Sequence, residues 1–385
     1  MQLGDLHVII VGGATGGCST ALLLARAGAR VTLLERVAQP RAVGAGIAIA
    51  ENGMAVLESL GMAPALDVAR EVRGMRVTDA VGRTLLAPPH PAPRVRMVRR
   101  ATLQGVLLDA VAAEPRIERL FGTEAVIAAP DGTVDIRDAE GTRTLRADLV
   151  VGADGVHSRV RECGAFGPRV RNTGISYVRG LVQEDLDEGV EAWTPAGLFG
   201  SFAVDGGTYF YASCGTRECR AALDAGDLDA LRDAWSGAYA PAERILGALP
   251  GFDQLLVNEV VRVDCARWWD GRLALLGDAA HAMSPNLGQG ANSALVDAAV
   301  LLDELRRGGS LAEALAAYDA RRRPAVRRVA DTAARLGRLA EATGPVMRAL
   351  RDRVLLPVAG MFSSERLTAA VLQEPPSTLL AIGRA

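Results

Sequence analysis

The sequence predicts an α/β fold: a doubly wound parallel-sheet domain assembled from separated stretches, an inserted mixed β-sheet, and helices toward the C-terminal end. Three observations carry this. Residues 7–36 read as strand, glycine-rich turn, helix and strand. Two further short apolar runs, DLVVGA (148–153) and RLALLG (272–277), each lead into a turn containing glycine and aspartate. Between about 175 and 265 the texture changes to strands such as YVRGLV and GTYFYASC, with a helical stretch near 227–248.

Each element has its own reason. HVIIV (7–11) is a continuous apolar run, as expected of a strand buried on both faces of a parallel sheet. GGATGG follows, and CSTALLLARAG has helical character with Gly28 at its end. VTLLE is the second strand. RAVGAGIAIAENG (41–53) reads as an Arg/Gly-rich loop, and MAVLESLG as a helix. PPHPAP (88–93) is incompatible with helix or central strand and marks a crossing loop. RRATLQGVLLDAVAA is an amphipathic helix. Short strands separated by PDG and AEG turns follow, ending in the buried DLVVGA strand. Arg- and Ala-rich helices begin at about 311.

The expected division is residues 1–75, 95–174 and 262–330 in the discontinuous domain. Residues 76–94 and 175–261 form the inserted domain, and 331–385 a C-terminal helical segment.

Composition narrows the function. The chain has 385 residues, 49% of them hydrophobic, enough for two cores, and a formal net charge of −2. That charge gives no bulk pull toward nucleic acid or anionic membrane. No apolar run is long enough to span a bilayer, and HVIIV is too short for a signal peptide, so a cytoplasmic protein is expected. The five cysteines (Cys18, Cys163, Cys214, Cys219, Cys265) show no CxxC pairing and are expected to be reduced thiols. The four histidines fit no metal-ligand pattern, so no metal site is expected. All 43 basic side chains are Arg, which excludes Schiff-base chemistry and Walker-type NTPases.

Three motifs carry the chemistry. Gly12, Gly13, Ala14, Thr15, Gly16 and Gly17 occupy the place of a GxGxxG fingerprint. Gly12 permits the tight turn and Gly17 the close helix–strand packing, while Ala14 replaces the middle glycine. The helix start supplies partial positive charge for phosphates. Glu35 closes the second strand, where it would accept from both hydroxyls of an adenosine ribose and repel a 2′-phosphate. The second motif is GADGVHSRVR (152–161), with Asp154 and Gly155 placed to cap the next helix or to form a plain Asp-Gly turn. The third is GDAAHAMSPNLGQG (277–290) before the apolar helix ANSALVDAAVLLDEL. Asp278 there can meet a polyol or act only as an N-cap, and Pro285 can be only a loop stiffener.

Taken in order, GGATGG with Glu35, Arg100 in RRATL, GADGVHSRVR and GDAAHAMSPNLGQG resemble the motif set of the single-component FAD-dependent aromatic hydroxylases. These are the group A flavoprotein monooxygenases similar to para-hydroxybenzoate and salicylate hydroxylases, and the likeness covers residues 1–330 most strongly. The resemblance implies a Rossmann-like FAD-binding domain with an inserted mixed β-sheet substrate domain. It implies that Glu35 meets the adenosine ribose, that Arg100 touches FAD, and that Asp278 holds the ribityl and pyrophosphate region. Pro285, Asn286, Leu287, Gly288, Gln289 and Gly290 would flank the isoalloxazine, with N–H groups at the helix start facing its pyrimidine end, and Ala291 and Asn292 are further expected cofactor contacts. Asp154 and Gly155 match a dual FAD/NAD(P)H motif. Arg36, Arg41 and Val126 complete the expected cofactor contacts. NAD(P)H would bind transiently on the same domain, because the sequence shows no second nucleotide-binding pattern; the thioredoxin-like extension of some larger relatives is not expected here.

The implied reaction uses NAD(P)H and O2 to hydroxylate an aromatic or heteroaromatic small molecule through a flavin 4a-hydroperoxide, in a dry pocket. Within flavoenzymes the alternatives are an epoxidase or an isoprenoid reductase of related fold; from another class, a non-catalytic FAD-binding protein. Halogenases depend on a lysine that this chain lacks. Pocket candidates in the insert are Arg179, Trp193, Phe199, Phe202, Tyr209 and Tyr211, each with domain core as the plain alternative. Tyr209 and Tyr211 share one strand face and Phe210 takes the other. The sequence identifies no catalytic base. His281, Arg179, Tyr209 and Tyr211 are the catalytic candidates, and a monomer or homodimer is expected. Cys18, at a helix start, is either a thiol of lowered pKa or a small packing residue.

Overall fold

A computed structural model of the chain describes residues 2–40, 46–73, 75–88, 92–186, 189–342, 344–356 and 371–384. It begins with β1 (His7–Val11), α1 (Thr15–Arg26) and β2 (Arg30–Glu35). Next come β3 (Gly46–Ala50), α2 (Glu51–Ser59), β4 (Arg70–Arg73), β5 (Arg76–Asp79), β6 (Thr84–Leu86), β7 (Arg94–Arg99), α3 (Arg100–Ala113) and β8 (Ile117–Phe121). A meander of β9 (Glu124–Ala128), β10 (Thr133–Asp138) and β11 (Gly141–Arg146) leads to β12 (Leu149–Gly152) and α4 (Arg159–Cys163). The insert holds β13 (Pro168–Val182), β14 (Val190–Trp193), β15 (Leu198–Val204), β16 (Gly207–Ser213), α5 (Arg217–Ala225), α6 (Leu228–Trp235), α7 (Ala240–Gly247) and β17 (Leu256–Cys265). The chain closes with β18 (Trp269–Asp270), β19 (Leu273–Leu275), α8 (Asp278–His281), α9 (Gly290–Arg307), α10 (Leu311–Ala340), α11 (Pro345–Leu350) and α12 (Pro376–Arg384).

Two large sheets organise these elements. The six-stranded sheet has order β18-β19-β12-β1-β2-β8 and is parallel except for β18. Its three central apolar strands come from residues far apart in sequence, and each ends at one of the three turns read as motifs. This places the turns together at the carboxyl edge of the sheet, where open α/β sheets bind ligands. The seven-stranded sheet has order β17-β13-β16-β15-β14-β5-β6 and is mixed, with β5 parallel to β14. Helices α5–α7 cover one of its faces through a core of Phe199, Phe210, Trp235 and Tyr239. The other face looks toward the motif turns.

Several details differ from the sequence reading. Gly46–Ala50 is a strand paired antiparallel with β7, not loop, and the following Glu-Asn-Gly already belongs to α2. Small residues alternate there with Ile47 and Ile49, whose side chains are buried, and that alternation is the strand signal. The boundaries expected near 174 and 261 fall inside β13 and β17, which pass from one layer to the other; on β13 a register shift lies between Asn172 and Ser176. The boundary expected at 330 falls inside α10, which runs unbroken from Leu311 to Ala340. Cys214 and Cys219 are joined as a disulfide, against the expectation of reduced thiols, while Cys18, Cys163 and Cys265 are free. Within the PPHPAP loop, residues 89–91 lie outside the described residues.

Candidate active site

The glycine turn is fixed by close backbone approach. Gly12 has φ +108°, and a Cβ there would lie 2.4 Å from the Ala153 carbonyl oxygen. A Cβ on Gly17 would lie 1.8 Å from the Gly12 carbonyl oxygen. The Gly13 N–H donates to Glu35 Oε2 (2.8 Å) and the Val37 N–H to Glu35 Oε1 (2.9 Å), so Glu35 is locked beside the turn with lone pairs to spare. Gln104 Nε2 and Cys18 Sγ both donate to the Gly13 carbonyl. Cys18 is fully buried, and burial pushes its thiol up to about 12; it is a packing residue, not an activated thiol.

The second turn caps a helix as expected. Asp154 Oδ2 accepts from the N–H groups of Arg159 (2.7 Å) and Val160 (3.2 Å), and Ser158 Oγ accepts from Arg161 (3.0 Å). Asp154 Oδ1 is buried with no partner among the described residues, and burial raises the carboxyl above its ordinary pKa. The Arg161 guanidinium donates to Ala279 O (2.9 Å) and Val156 O (2.6 Å), tying this turn to the third.

The third turn rests on a buried ionic network. Asp297 accepts from the Gly277 N–H (3.0 Å) and Arg322 Nε (2.7 Å), and lies 2.5 Å from His281 Nε2. Burial alone would raise the Asp297 carboxyl, but His281, Arg322 and the Gly277 N–H hold it below its ordinary value. His281 stacks on Trp268 at 4.9 Å and is 4% exposed. It therefore lies in packed core behind the turn and is not among the residues lining the cavity, which removes it from the catalytic candidates. Asn292 is wholly engaged: its Oδ1 accepts from the Ala50 N–H, and its Nδ2 donates to Ala48 O and Gly288 O. Gln289 Oε1 accepts from Asn52 and Gln373. These two side chains brace the loop from within. Helices α1 and α9 both lack a side-chain N-cap, which leaves first-turn N–H groups for a ligand.

One cavity of about 600 Å³ joins these turns to the open face of the seven-stranded sheet. Ala14, Thr15, Gly16, Gly155, Asp278, Pro285, Leu287, Gly288, Gln289, Gly290, Ala291, Asn292 and Arg100 line its first part. The side chains of Asp278 and Arg100 make no hydrogen bonds among the described residues. Arg100 is exposed where it borders the cavity, yet loss of hydration beside the surrounding protein, with the neighbouring charge of Arg179, lowers its pKa, while Tyr209 and Asp278 act in the opposite sense. Arg179, Phe202, Tyr209 and Tyr211 line the far part with Tyr177, Met75, Met97 and Asn258. Gly46 lets Tyr209 pack closely on β3, since a Cβ there would lie 2.4–2.9 Å from Tyr209 Cγ, Cδ1 and Cβ. The Tyr177 oxygen accepts from Asn286 Nδ2 (2.9 Å), and Asn286 in turn accepts from Ser284.

Of the remaining expected residues, Phe199 points into the core under α5–α7, because it falls on the opposite face of β15 from Phe202. Trp193 is buried against Tyr177 and Leu198 beneath the Arg351 guanidinium, not in the cavity. Arg36 is exposed and Val126 half-buried on β9; neither lines the cavity. Arg41 lies outside the described residues. The sequence reading missed Tyr177, Asn258 and the Gly46–Ala50 strand. Of these only the strand carried a local signal.

The set of groups fits FAD. The pyrophosphate would meet the start of α1, Glu35 lies next to the Gly12–Gly17 turn, and Asp278 and Arg100 offer unengaged polar atoms along the cavity. Among the described residues no cluster of His, Cys, Asp and Glu has metal-holding geometry, and no helix is long and apolar enough to cross a membrane.

Comparison with known proteins agrees with this geometry. Residues 5–220 and 238–333 match a family model described as FAD binding domain. The chain is 32% identical over 383 residues to aurachin C monooxygenase/isomerase of Stigmatella aurantiaca, covering 94% of this chain and 96% of that protein. It is 33% identical over 378 residues to a 3-amino-4-hydroxybenzoate 2-monooxygenase of Streptomyces platensis, covering 90% and 91%. Among solved structures, an HpxO variant of Klebsiella pneumoniae complexed with FAD superposes with TM-score 0.80 at 25% identity, covering 96% of this chain and 100% of that one.

Proposed function

The chain belongs to the FAD binding domain family, as an FAD-dependent aromatic monooxygenase of the group A flavoprotein type, and from that premise we propose how its cavity works. The proposed reaction oxidises a reduced nicotinamide, splits O2, places one oxygen atom on an aromatic or heteroaromatic ring as a hydroxyl and releases the other as water. The observation that carries this is the continuity of one cavity from the glycine turn, past Asp278 and the start of α9, to an aromatic sheet face. FAD, when bound, supplies the electron and oxygen-transfer chemistry.

The chain's residues supply the rest. Gly12–Gly17 and the α1 N-terminus hold the phosphates, and Glu35 accepts from the adenosine ribose. Asp278 accepts from polyol hydroxyls, and Arg100 donates to the cofactor. The N–H groups of Gly290 and Ala291 favour negative charge at the end of the cavity nearest the sheet. Phe202, Tyr209, Met75 and Met97 give the ring an apolar bed and keep water out. Arg179 donates to a keto, phenolate or carboxylate oxygen of the substrate. We read the six-stranded layer as the cofactor domain and the seven-stranded layer as the substrate domain, in a cytoplasmic monomer or homodimer. The quinolone and aminohydroxybenzoate names of similar enzymes support a ring bearing both nitrogen and oxygen.

The test is direct. The purified protein should be yellow, and NADH or NADPH oxidation should accelerate with some members of a panel of phenols, aminobenzoates and 4-quinolones. A colourless protein that takes up no flavin on reconstitution would overturn the reading. Asp278→Ala should weaken FAD binding about 10-fold or more, as expected for loss of a charge-assisted hydrogen bond. Flavin-fluorescence titration of the deflavinated protein measures this.

A further inference from the structure

Five strands of the large sheet place their residues in one register row on the cavity side. Glu191 on β14 is opposite Gly200 on β15, which is opposite Tyr211 on β16; Tyr211 is opposite Arg179 on β13, itself opposite Leu256 on β17. Gly200 is the gap in this row. A Cβ there would lie 2.4–2.7 Å from Tyr211 Cζ, Cε1 and the hydroxyl oxygen, so only glycine lets the ring cross to the next strand. Having crossed, the Tyr211 hydroxyl donates to Glu191 Oε2 at 2.7 Å. Glu191 is 3% exposed and touches no ligand space itself. Its other oxygen accepts from the indole N–H of Trp193, also at 2.7 Å. Trp193 is held in turn beneath Arg351, whose guanidinium carbon lies 5.1 Å from the ring centroid.

Hydrogen-bond inventory now decides what the cavity sees. A tyrosine hydroxyl has one proton and lone pairs. The Met75 thioether sulfur, 3.6 Å from the hydroxyl, is a weak acceptor and loses to the Glu191 oxygen at 2.7 Å; with the proton committed to Glu191, the Tyr211 oxygen offers the cavity an acceptor only. Arg179, its neighbour across the strand pair, is a donor only. We propose that Glu191 is a positioning residue that sets the polarity of Tyr211, so that the substrate end selects a heteroaromatic ring carrying an N–H or O–H donor toward Tyr211 and an oxygen acceptor toward Arg179. A vinylogous amide such as a 4-quinolone has this pattern. The inference rests on the aromatic monooxygenase reading above and narrows its substrate class.

Trp193 makes the test sharp. In Glu191→Gln the indole can still only donate, so the amide oxygen must take it and the amide NH2 must face Tyr211. Tyr211 then accepts from Gln and turns its own proton into the cavity. The polarity of the site inverts with almost no change in shape. The probes are 4(1H)-quinolone and 1-methyl-4-quinolone, which keep the ring and the keto oxygen but differ in the N–H. Dissociation constants come from the perturbation of the flavin absorbance of the FAD-loaded protein. Wild type should prefer the N–H probe by about 10-fold or more. Glu191→Gln should bring the ratio to near one or below. Tyr211→Phe, which leaves Glu191 in place, should bring it to near one and guards against a folding defect in the first variant. Any steric cost of the methyl group is common to all three proteins and cancels in the comparison. A wild-type ratio near one, or a wild-type ratio retained in both variants, would overturn the proposal while leaving the monooxygenase reading intact. If neither probe perturbs the flavin and no aromatic compound accelerates NAD(P)H oxidation, the functional reading itself fails and the proposal with it.

Discussion

The two ends of the cavity are built by different means. At the proposed cofactor end the groups assigned to binding are backbone N–H groups, one or two acids and Arg100, held by turns at three strand ends and by the start of α3. At the proposed substrate end they are the side chains of Arg179, Tyr209 and Tyr211, with Glu191 behind them, brought together only by strand register. Backbone sites need glycines at fixed spacings, so they print a pattern on the sequence. Register sites need only that each residue suit its own strand. The cofactor end therefore tolerates little variation, while the substrate end can change ligand by changing one side chain per strand.

The largest effect should come from breaking what lies behind the cofactor end. Asp297 and Arg322 are both fully buried, and Asp297 also holds the Gly277 N–H. Asp297→Asn leaves the Arg322 charge uncompensated and should cost about 3–5 kcal/mol of stability, read by denaturant unfolding of the holoprotein. Because the folded-state pKa of Asp297 is depressed, its contribution is present above the ordinary carboxylate range, about pH 4, and is lost as pH falls through the depressed value. Acid unfolding should thus be less steep in Asp297→Asn than in wild type. Flavin should leave this variant more readily, since Gly277 sets the position of Asp278. Unchanged stability would mean the network is not what supports the turn.

That contrast explains what was legible in the sequence. The parallel sheet, the three motif turns and the joining of Ala14–Gly16, Arg100, Asp278 and Gly288–Ala291 around one space follow from contiguous residues and short-range physics. Register does not. No local feature of Glu191 or Gly200 announces that a tyrosine eleven residues further on will cross one to reach the other. Tyr177 and Asn258, register partners on β13 and β17, are hidden for the same reason. His281 differs again: its place within the third motif made it a catalytic candidate. On the short α8, however, its ring turns toward Asp297 and Trp268 in the core, while Asp278 at the head of the helix meets the cavity. Phe199 and Phe202 show that a strand's two faces can be told apart by parity only once one face is assigned.

A smaller effect is expected where the two ends meet. Gly46 and Tyr209 are in contact between β3 and the large sheet, and Gly46→Ala must push the Tyr209 ring by several tenths of an ångström or more. Overpacking of this kind costs about 1–3 kcal/mol. It should appear as a KM for the aromatic substrate raised roughly 5- to 10-fold, with FAD affinity nearly unchanged. Steady-state kinetics beside a flavin titration separates the two. Equal loss of both would show that Tyr209 serves the cofactor end after all.

The smallest effect concerns Cys18, where two physical influences compete. Its place in the first turn of α1 favours the thiolate through the helix dipole, as in many reactive cysteines. Its burial opposes the thiolate, and burial prevails, because the sulfur is fully enclosed and already donates to the Gly13 carbonyl. With the thiol at about 12, the thiolate fraction at pH 8 is on the order of 10⁻⁴, and only the thiolate reacts. Iodoacetamide at pH 8 should leave Cys18 unlabelled in the native protein, by peptide mass mapping, while the half-buried Cys163 reacts first. Cys18→Ala should change stability and flavin affinity by less than about 1 kcal/mol, since a weak S–H donor is lost while Gln104 keeps its bond to the same carbonyl. Rapid labelling of native Cys18 would show that the glycine turn opens in solution, and the tight backbone approach at Gly12 and Gly17 would then be only one of its states.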